Sequence, residues 1–376
     1  MTWRAQSVEE RRTEFVQLAQ GQTIPFRELC RRFGISPKTG YKWVDRAESG
    51  DPAWMRDRSR RPHTSPGRTD ARMEERVVHL RQQHPAWGGR KLHTRLVRDG
   101  IDGVPAPSTI TAILARHALI DPLESERRHI PIRFEYPEPN DLWQLDFMGH
   151  LPMADGRLHP LSLLDDHSRF CLGLWACANE QRITVLGQLQ GAFERYGLPL
   201  AILADNGSPW GTTGTRGIST LEIELISLGI TLIHGRPYHP QTQGKIERFH
   251  RTLALELTRT RLFASLAEAS IALEQWRQLY NTDRPHQALD GRVPAQCYRP
   301  SPRPYPRQPP EIGYGPDDAV RRVQGGGYCT FGARDWFIGK GAAGRQVGIR
   351  PTATDGVFAV YFSHQQIATI DLNKPM

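Results

Sequence analysis

The chain has 376 residues, with 49 Lys+Arg against 40 Asp+Glu and a formal net charge of +9. That length suggests two to four domains of ordinary size and leaves room for a sizeable core. No apolar run approaches the roughly 18 residues of a membrane span, the N-terminal stretch lacks a signal-peptide core, and five scattered cysteines without a CxxC pair argue against a disulfide framework or a thiolate zinc site.

The charge is unevenly spread. Residues 1–130 carry net +8, residues 131–290 net -4 and residues 291–376 net +5. Basic flanks suit a polyanion, because each Lys or Arg that neutralises a phosphate releases condensed counterions. An acidic middle in such a chain needs a separate reason, and carboxylates that bind metal are one.

Residues 7–47 read as helical, broken between Gly21 and Pro25 and again at Gly34. Phe26, Leu29 and Phe33 share one face at i, i+3, i+7. Ser36 then offers an N-cap and Pro37 suits the first helical position. Helix, short glycine turn, helix is the helix-turn-helix arrangement, and the second helix presents Lys38, Thr39, Lys42 and Arg46 to phosphates and base edges. A plain helical hairpin with a solvated face has the same pattern. Residues 1–48 are therefore expected to form a DNA-binding unit.

Residues 49–70 mix Pro52, Pro62 and Pro66 with Arg56, Arg58, Arg60, Arg61 and Arg68, which predicts a linker, either a tether or a strip along a DNA groove. A second helical unit is expected over 71–130. Its helices run before Pro85, after Trp87-Gly88-Gly89, and from Pro107-Ser108-Thr109, where Ser108 or Thr109 is the expected cap. Arg90, Lys91, Ser108 and Thr109 are its candidate DNA contacts, against the alternative of a structural spacer.

From about 131 the pattern changes. Short apolar runs at 142–147, 161–164 and 171–176 read as strands. A helix follows at 181–196, then a buried strand at 200–204 ending in Asp205-Asn206-Gly207. A helix at 218–228, a strand at 230–233 and a long helix from Gly244 to about Leu262 complete an α/β layer with a mixed sheet. After the Pro-rich stretch 300–306, short β-rich runs between glycine turns suggest a small β-barrel, so the units are placed at 131–299 and 300–376.

Three acids stand out. Asp146 lies within an apolar strand, Asp205 at the end of one, and Glu247 in the first turns of a helix whose core stripe is Ile246, Phe249, Leu253 and Leu257. An acid inside a strand is costly unless paired or metal-bound, and clustered carboxylates suit a divalent cation. Each alone could equally cap or shape a turn. Asp165 and Asp166, at another strand end, are rivals more in keeping with a turn. Lys245 and Arg251, with His239, Gln241 and Gln243 just upstream, are candidates for holding phosphates nearby.

Trp143-Gln144-Leu145-Asp146-Phe147, Leu203-Ala204-Asp205-Asn206-Gly207 and His239-Pro240-Gln241-Thr242-Gln243-Gly244-Lys245-Ile246-Glu247-Arg248, in that order, resemble the DDE core of retroviral integrases and bacterial insertion-sequence transposases. Tyr280-Asn281 and Arg284-Pro285-His286-Gln287-Ala288-Leu289 are similar to the end of that core. The resemblance implies a ribonuclease-H-like fold over about 132–300, catalytic and metal-binding roles for Asp146, Asp205 and Glu247, Mg²⁺ with Mn²⁺ as a substitute, and DNA strand transfer. It further implies double-stranded DNA as partner, at least a dimer on DNA, no membrane, and a cytoplasmic, nucleoid-associated setting. Asp205 and Glu247 are separated by 41 residues, more than is usual in that family, and the extra length falls at 210–220. The alternative from another class is a DNA-binding regulator that keeps an inactive core.

Overall fold

The computed structural model describes residues 7–58, 68–120, 135–205, 210, 217–234 and 244–374. The arginine-rich middle of the linker, the inserted loop at 211–216, Asn206-Gly207, and His239, Gln241 and Gln243 lie outside them. The chain divides into two compact units, 1–68 and 69–376.

The first unit holds α1 (Val8–Gln20), α2 (Phe26–Arg32) and α3 (Pro37–Glu48). Ser7 and Glu10 form a reciprocal capping box on α1. Ser36 accepts the Thr39 N–H at 3.2 Å, and Pro37 starts α3 as expected. Phe15, Val16, Leu29, Cys30 and Trp43 form the core. Gly40 lets α3 lie close, because a Cβ there would stand 2.7 Å from Cys30 Sγ and 2.9 Å from the Phe15 ring. Lys38 and Lys42 are left exposed, whereas Arg46 is half-buried with its guanidinium over the Trp43 ring.

The second unit begins with α4 (Ala71–Gln83), α5 (Gly89–Arg98) and α6 (Pro107–Arg116), packed around Val77, Trp87, Leu92, Leu96, Ile110 and Ile113. The expected cap of α6 is corrected here. Proline has no N–H to satisfy and its φ is preset, so Pro107 is the first helical residue and Ala106 the cap position, without a side-chain bond. Ser108 and Thr109 instead lie exposed in the first turn.

The six-stranded sheet is built on β1 (Leu142–Phe147). On one side β1 runs antiparallel to β3 (Gly156–Asp165), which also pairs with β2 (Leu151–Met153) and β4 (Cys171–Cys177). On the other side it runs parallel to β5 (Ala201–Ala204), which pairs in parallel with β6 (Thr231–His234). Side chains alternate across a strand. Trp143 and Leu145 therefore enter the core under α7 (Arg182–Tyr196) and α8 (Thr220–Ser227). Gln144 and Asp146 point the other way, toward α9 (Gly244–Leu253), which packs with α10 (Leu266–Thr282) through Phe249, Leu253, Leu273 and Trp276. A mixed sheet with helices on both faces is the expected ribonuclease-H-like layer.

The long helix expected from Gly244 to about Leu262 is shorter. After Leu253 it widens into a π turn, Ala254–Thr258. That turn carries Glu256, buried and bonded to Arg284 Nη1 at 2.6 Å and to Trp276 Nε1 at 3.0 Å.

The tail forms β7 (Ala319–Arg322), β8 (Tyr328–Phe331), β9 (Arg334–Phe337), β10 (Gln346–Pro351), β11 (Val357–Phe362) and β12 (Gln365–Asp371). Their pairing does not close into the expected barrel among the described residues. It gives an open antiparallel sheet, β12-β11-β10-β7, and a separate β8-β9 hairpin. Val347, Ile349, Val360 and Phe362 share one core with Ile223 and Ile226 of α8 and with Cys329 of the hairpin, so α8 takes part of the face that a closed barrel would cover with its own strands. The Gln365 amide also bonds both the N–H and the C=O of Leu232 at 3.0 Å, covering part of the β6 edge.

Arg284 and Glu256 side chains are 4% and 5% exposed. Removing one member leaves the other charge buried without its partner, at a cost of about 3–5 kcal/mol. Glu256→Ala is therefore expected to lower the urea midpoint strongly, and the double variant Glu256→Met/Arg284→Met to recover much of the loss, both read by circular dichroism.

Candidate active site

Asp146 stands near the C-terminal end of β1, opposite Ser162 of β3. Its side chain is 20% exposed, and its carboxyl is pushed up to about 7, first by burial and then by the negative charges of Asp205 and Glu247. The strand end therefore brings the three expected acids into one electrostatic field. Glu180, next to the end of β4, adds a smaller repulsion and is itself 2.9 Å from His159 Nδ1.

Asp205 follows β5 directly. Its main-chain oxygen lies 3.0 Å from Nδ1 of His234, whose Nε2 lies 2.8 Å from Glu222 Oε1. Both partners are acceptors, so both ring nitrogens donate, and the Glu222 bond holds the imidazole above its ordinary pKa. Glu247 is exposed on the first turn of α9.

The placing of α9 depends on the rival acids. Asp166 is fully buried, and its Oδ1 accepts Gln144 Nε2 at 2.7 Å. Its Oδ2 accepts the Tyr136 N–H at 2.9 Å and the Lys245 ammonium. Gln144 Oε1 in turn accepts the Ile246 N–H at 3.2 Å. Asp165 is equally buried and closes the β3–β4 turn through Ser168 and the Asn140 N–H. Both acids are thus structural, in line with the turn reading.

Lys245 was a candidate DNA contact, but its ammonium turns inward onto Asp166. Burial lowers its pKa and Asp166 partly restores it. Lys91 is another candidate contact that is not fully open to solvent. It is half-buried, with its pKa lowered to about 7 by burial and by Arg284, Arg248 and Arg251. The cause is docking of α5 on the core, where Arg95 and Arg98 both bond the Asp283 carboxylate at the end of α10. Arg90 and Arg251 remain exposed.

Sequence reasoning missed His250. Its Nε2 lies 3.0 Å from Ser162 Oγ and its Nδ1 3.8 Å from Asp146 Oδ2, and burial pushes the ring down to about 4, so it is neutral. Its spacing of three from Glu247 on α9 was the available signal. His234 had no comparable signal in the sequence, because its partner Glu222 comes from a different element.

The donor chemistry suits a hard divalent cation: three carboxylates, one of them raised to about 7 by burial and then by the negative charges of the others. Among the described residues, however, no three His, Cys, Asp or Glu side chains are gathered tightly enough to hold a metal ion without adjustment. The set fits the ion in the chemistry of its donors, three carboxylates drawn from β1, the end of β5 and the first turn of α9.

The sequence matches family models along much of its length: a helix-turn-helix domain over 11–63, a homeodomain-like domain over 39–114, integrase core domains over 137–240 and 228–294, and the C-terminal domain of IS481 family transposases over 318–375. It is 24% identical over 225 residues to the insertion element IS407 uncharacterized 31.7 kDa protein of Burkholderia multivorans, covering 59% of this chain and 78% of that one. It is 26% identical over 231 residues to the insertion element IS476 uncharacterized 39.2 kDa protein of Xanthomonas euvesicatoria, covering 59% of this chain and 63% of that one. Among solved structures, the HTLV-2 integrase catalytic core domain in complex with magnesium matches at 18% identity and a TM-score of 0.33, over 43% of this chain and 97% of that one. The chain resembles bacterial insertion-sequence transposases with a retroviral-integrase-like core, and it combines that core with helix-turn-helix domains.

A carboxyl raised from 3.8 to about 7 is neutral in the folded protein where it is ionised in the unfolded one. Its penalty is absent below 3.8, grows across that window and is complete above about 7. Without divalent metal, Asp146→Asn is therefore expected to raise the melting temperature at pH 8 by an amount that fades toward pH 4, worth on the order of a few kcal/mol at most. Mg²⁺ should narrow the gap at pH 8 by stabilising the wild type alone. A gap independent of pH would remove the electrostatic account of Asp146.

Proposed function

We propose that the protein is a DNA transposase that binds the ends of a mobile element, frees a 3′-OH at each and joins it to target DNA. The observation that carries this reading is Asp146, held in a strand within the field of Asp205 and Glu247 at a cost that a binding-only protein has no reason to bear. Asp146, Asp205 and Glu247 are the catalytic and metal-binding acids in this reading. A divalent cation, Mg²⁺ or Mn²⁺ in its place, supplies activation of the attacking oxygen and neutralises charge at phosphorus.

The chain's own residues do the rest. Water attacks the phosphodiester at the element end, the P–O3′ bond on the element side breaks, and the departing 3′ oxygen leaves as a hydroxyl. That hydroxyl attacks a target phosphodiester in line, exchanging one P–O bond for another without a covalent protein intermediate. His250, neutral and next to Asp146, limits how far that carboxylate can swing. Lys38, Thr39, Lys42 and Arg46 would read the element ends from α3. Arg90, Ser108 and Thr109 form a second exposed set, and Lys91 lies within the field of Arg251. We assign DNA reading to residues 1–48 and 71–130, tethering to 49–70, chemistry to 131–299 and support to 300–376. Joining two ends in one event calls for at least a dimer on DNA. No described helix is long and apolar enough to cross a membrane, and we place the protein with the nucleoid in the cytoplasm.

The test is strand transfer on a labelled duplex from the DNA flanking the reading frame, with Mg²⁺ or Mn²⁺. Wild type should give joined products, and Asp205→Asn or added EDTA should abolish them, by at least ~10³-fold for the substitution, about 4 kcal/mol of barrier. Cutting without joining would reduce the reading to a nuclease. Binding without metal-dependent chemistry would leave a regulator that keeps an inactive core.

A further inference from the structure

We propose that His234 is a positioning residue for Asp205, fixing the main chain from which that carboxylate projects and anchored in turn by Glu222. The inference rests on the reading of Asp205 as a metal-binding acid.

The geometry begins with strand register. Ala204 of β5 pairs with His234 of β6, the last pair of that ladder among the described residues, and Asp205 follows directly. His234 bonds the main chain at that point, with Nδ1 3.0 Å from the Asp205 oxygen. An imidazole with one tether can still turn about its side-chain bonds. The second tether, Nε2 to Glu222 Oε1 at 2.8 Å, removes that freedom.

Glu222 is itself held from two directions. Its Oε2 accepts the Ser219 N–H while its own N–H donates to Ser219 Oγ at 3.2 Å, which closes a capping box at the start of α8. One turn on, Ile223 and Ile226 pack into the tail sheet with Val347, Ile349 and Val360. A continuous set of contacts therefore runs from the tail through α8, Glu222 and His234 to Asp205. Side chains that orient a metal-binding group through its other hydrogen bonds commonly set affinity by about 10- to 100-fold.

The experiment uses the full chain and two readouts: Mn²⁺ binding by electron paramagnetic resonance, and deuterium exchange of the segment 201–205. His234→Ala should weaken Mn²⁺ binding by about 10- to 100-fold and speed exchange. His234→Asn puts an amide nitrogen where Nδ1 stands, so it should recover most of both, a rescue that loss of packing alone would not show. Glu222→Ala, which leaves the ring in place, should shift both in the same direction and keeps the test available if His234→Ala fails to fold. Unchanged binding and exchange in His234→Ala, or no recovery in a folded His234→Asn, would overturn the proposal. If the wild type binds no Mn²⁺, the metal reading of the acids falls, and the exchange data alone decide whether His234 holds the strand end.

Discussion

The relation between β1 and α9 rests on one buried polar network. Gln144 lies on the same face of β1 as Asp146 and spends both ends of its amide, one on Asp166 and one on the first turn of α9. Asp166 brings in Lys245 from that same turn. A buried amide or carboxylate left unbonded costs on the order of 1–3 kcal/mol, more when charged, so these groups tolerate only the arrangement that satisfies all of them. A slip of α9 by one residue would strip Gln144 of the Ile246 N–H and Asp166 of its ammonium together. Glu247 is the residue after Ile246, and its distance from Asp146 is therefore set by a contact in which neither acid takes part.

The remaining acid is placed by different means. Asp205 follows β5, which runs parallel to β1, and its backbone is tied through β6 to α8 and the tail sheet. One helix and one strand end thus converge on β1 from opposite sides, each supported by its own layer. The helical unit 71–120 adds a third attachment, through Arg95 and Arg98 on Asp283, just before the Arg284 that neutralises Glu256 in the π turn of the same long helix. Glu256 stands seven residues after Phe249 and three after Leu253, close to their stripe, so it faces inward beside that core.

Much of this was legible in the sequence, and the failures have a common cause. Periodicity located β1, α7, α8 and the start of α9, and the alternation around Asp146 showed an acid on a buried strand. Capping chemistry located α3 through Ser36 and Pro37 and failed at α6, where Ser108 and Thr109 competed with a proline that had already fixed the first helical position. What could not be read were groups whose role depends on a distant partner. Lys245 looks like a phosphate contact until Asp166, 79 positions away, is seen to hold it. His234 and His250 look like ordinary strand and helix residues until Glu222, Ser162 and the acids are placed around them. The tail read as a barrel because strand spacing does not say which wall a sheet will pack against.

The division of charge along the chain acquires a physical sense from these positions. Three acids in one field repel a phosphodiester, so a site of this kind needs positive charge close by. Lys245 and Arg284, although close in sequence or space, are neutralised by Asp166 and Glu256. Lys91 of α5 stands where burial and the charges of Arg284, Arg248 and Arg251 drive its ammonium to about 7. A phosphate beside such a lysine favours its protonated form, because the anion offsets the charge of the neighbouring arginines. The same contact that anchors the helical unit on Asp283 thus holds α5, and with it Lys91, beside α9, the helix that carries Glu247.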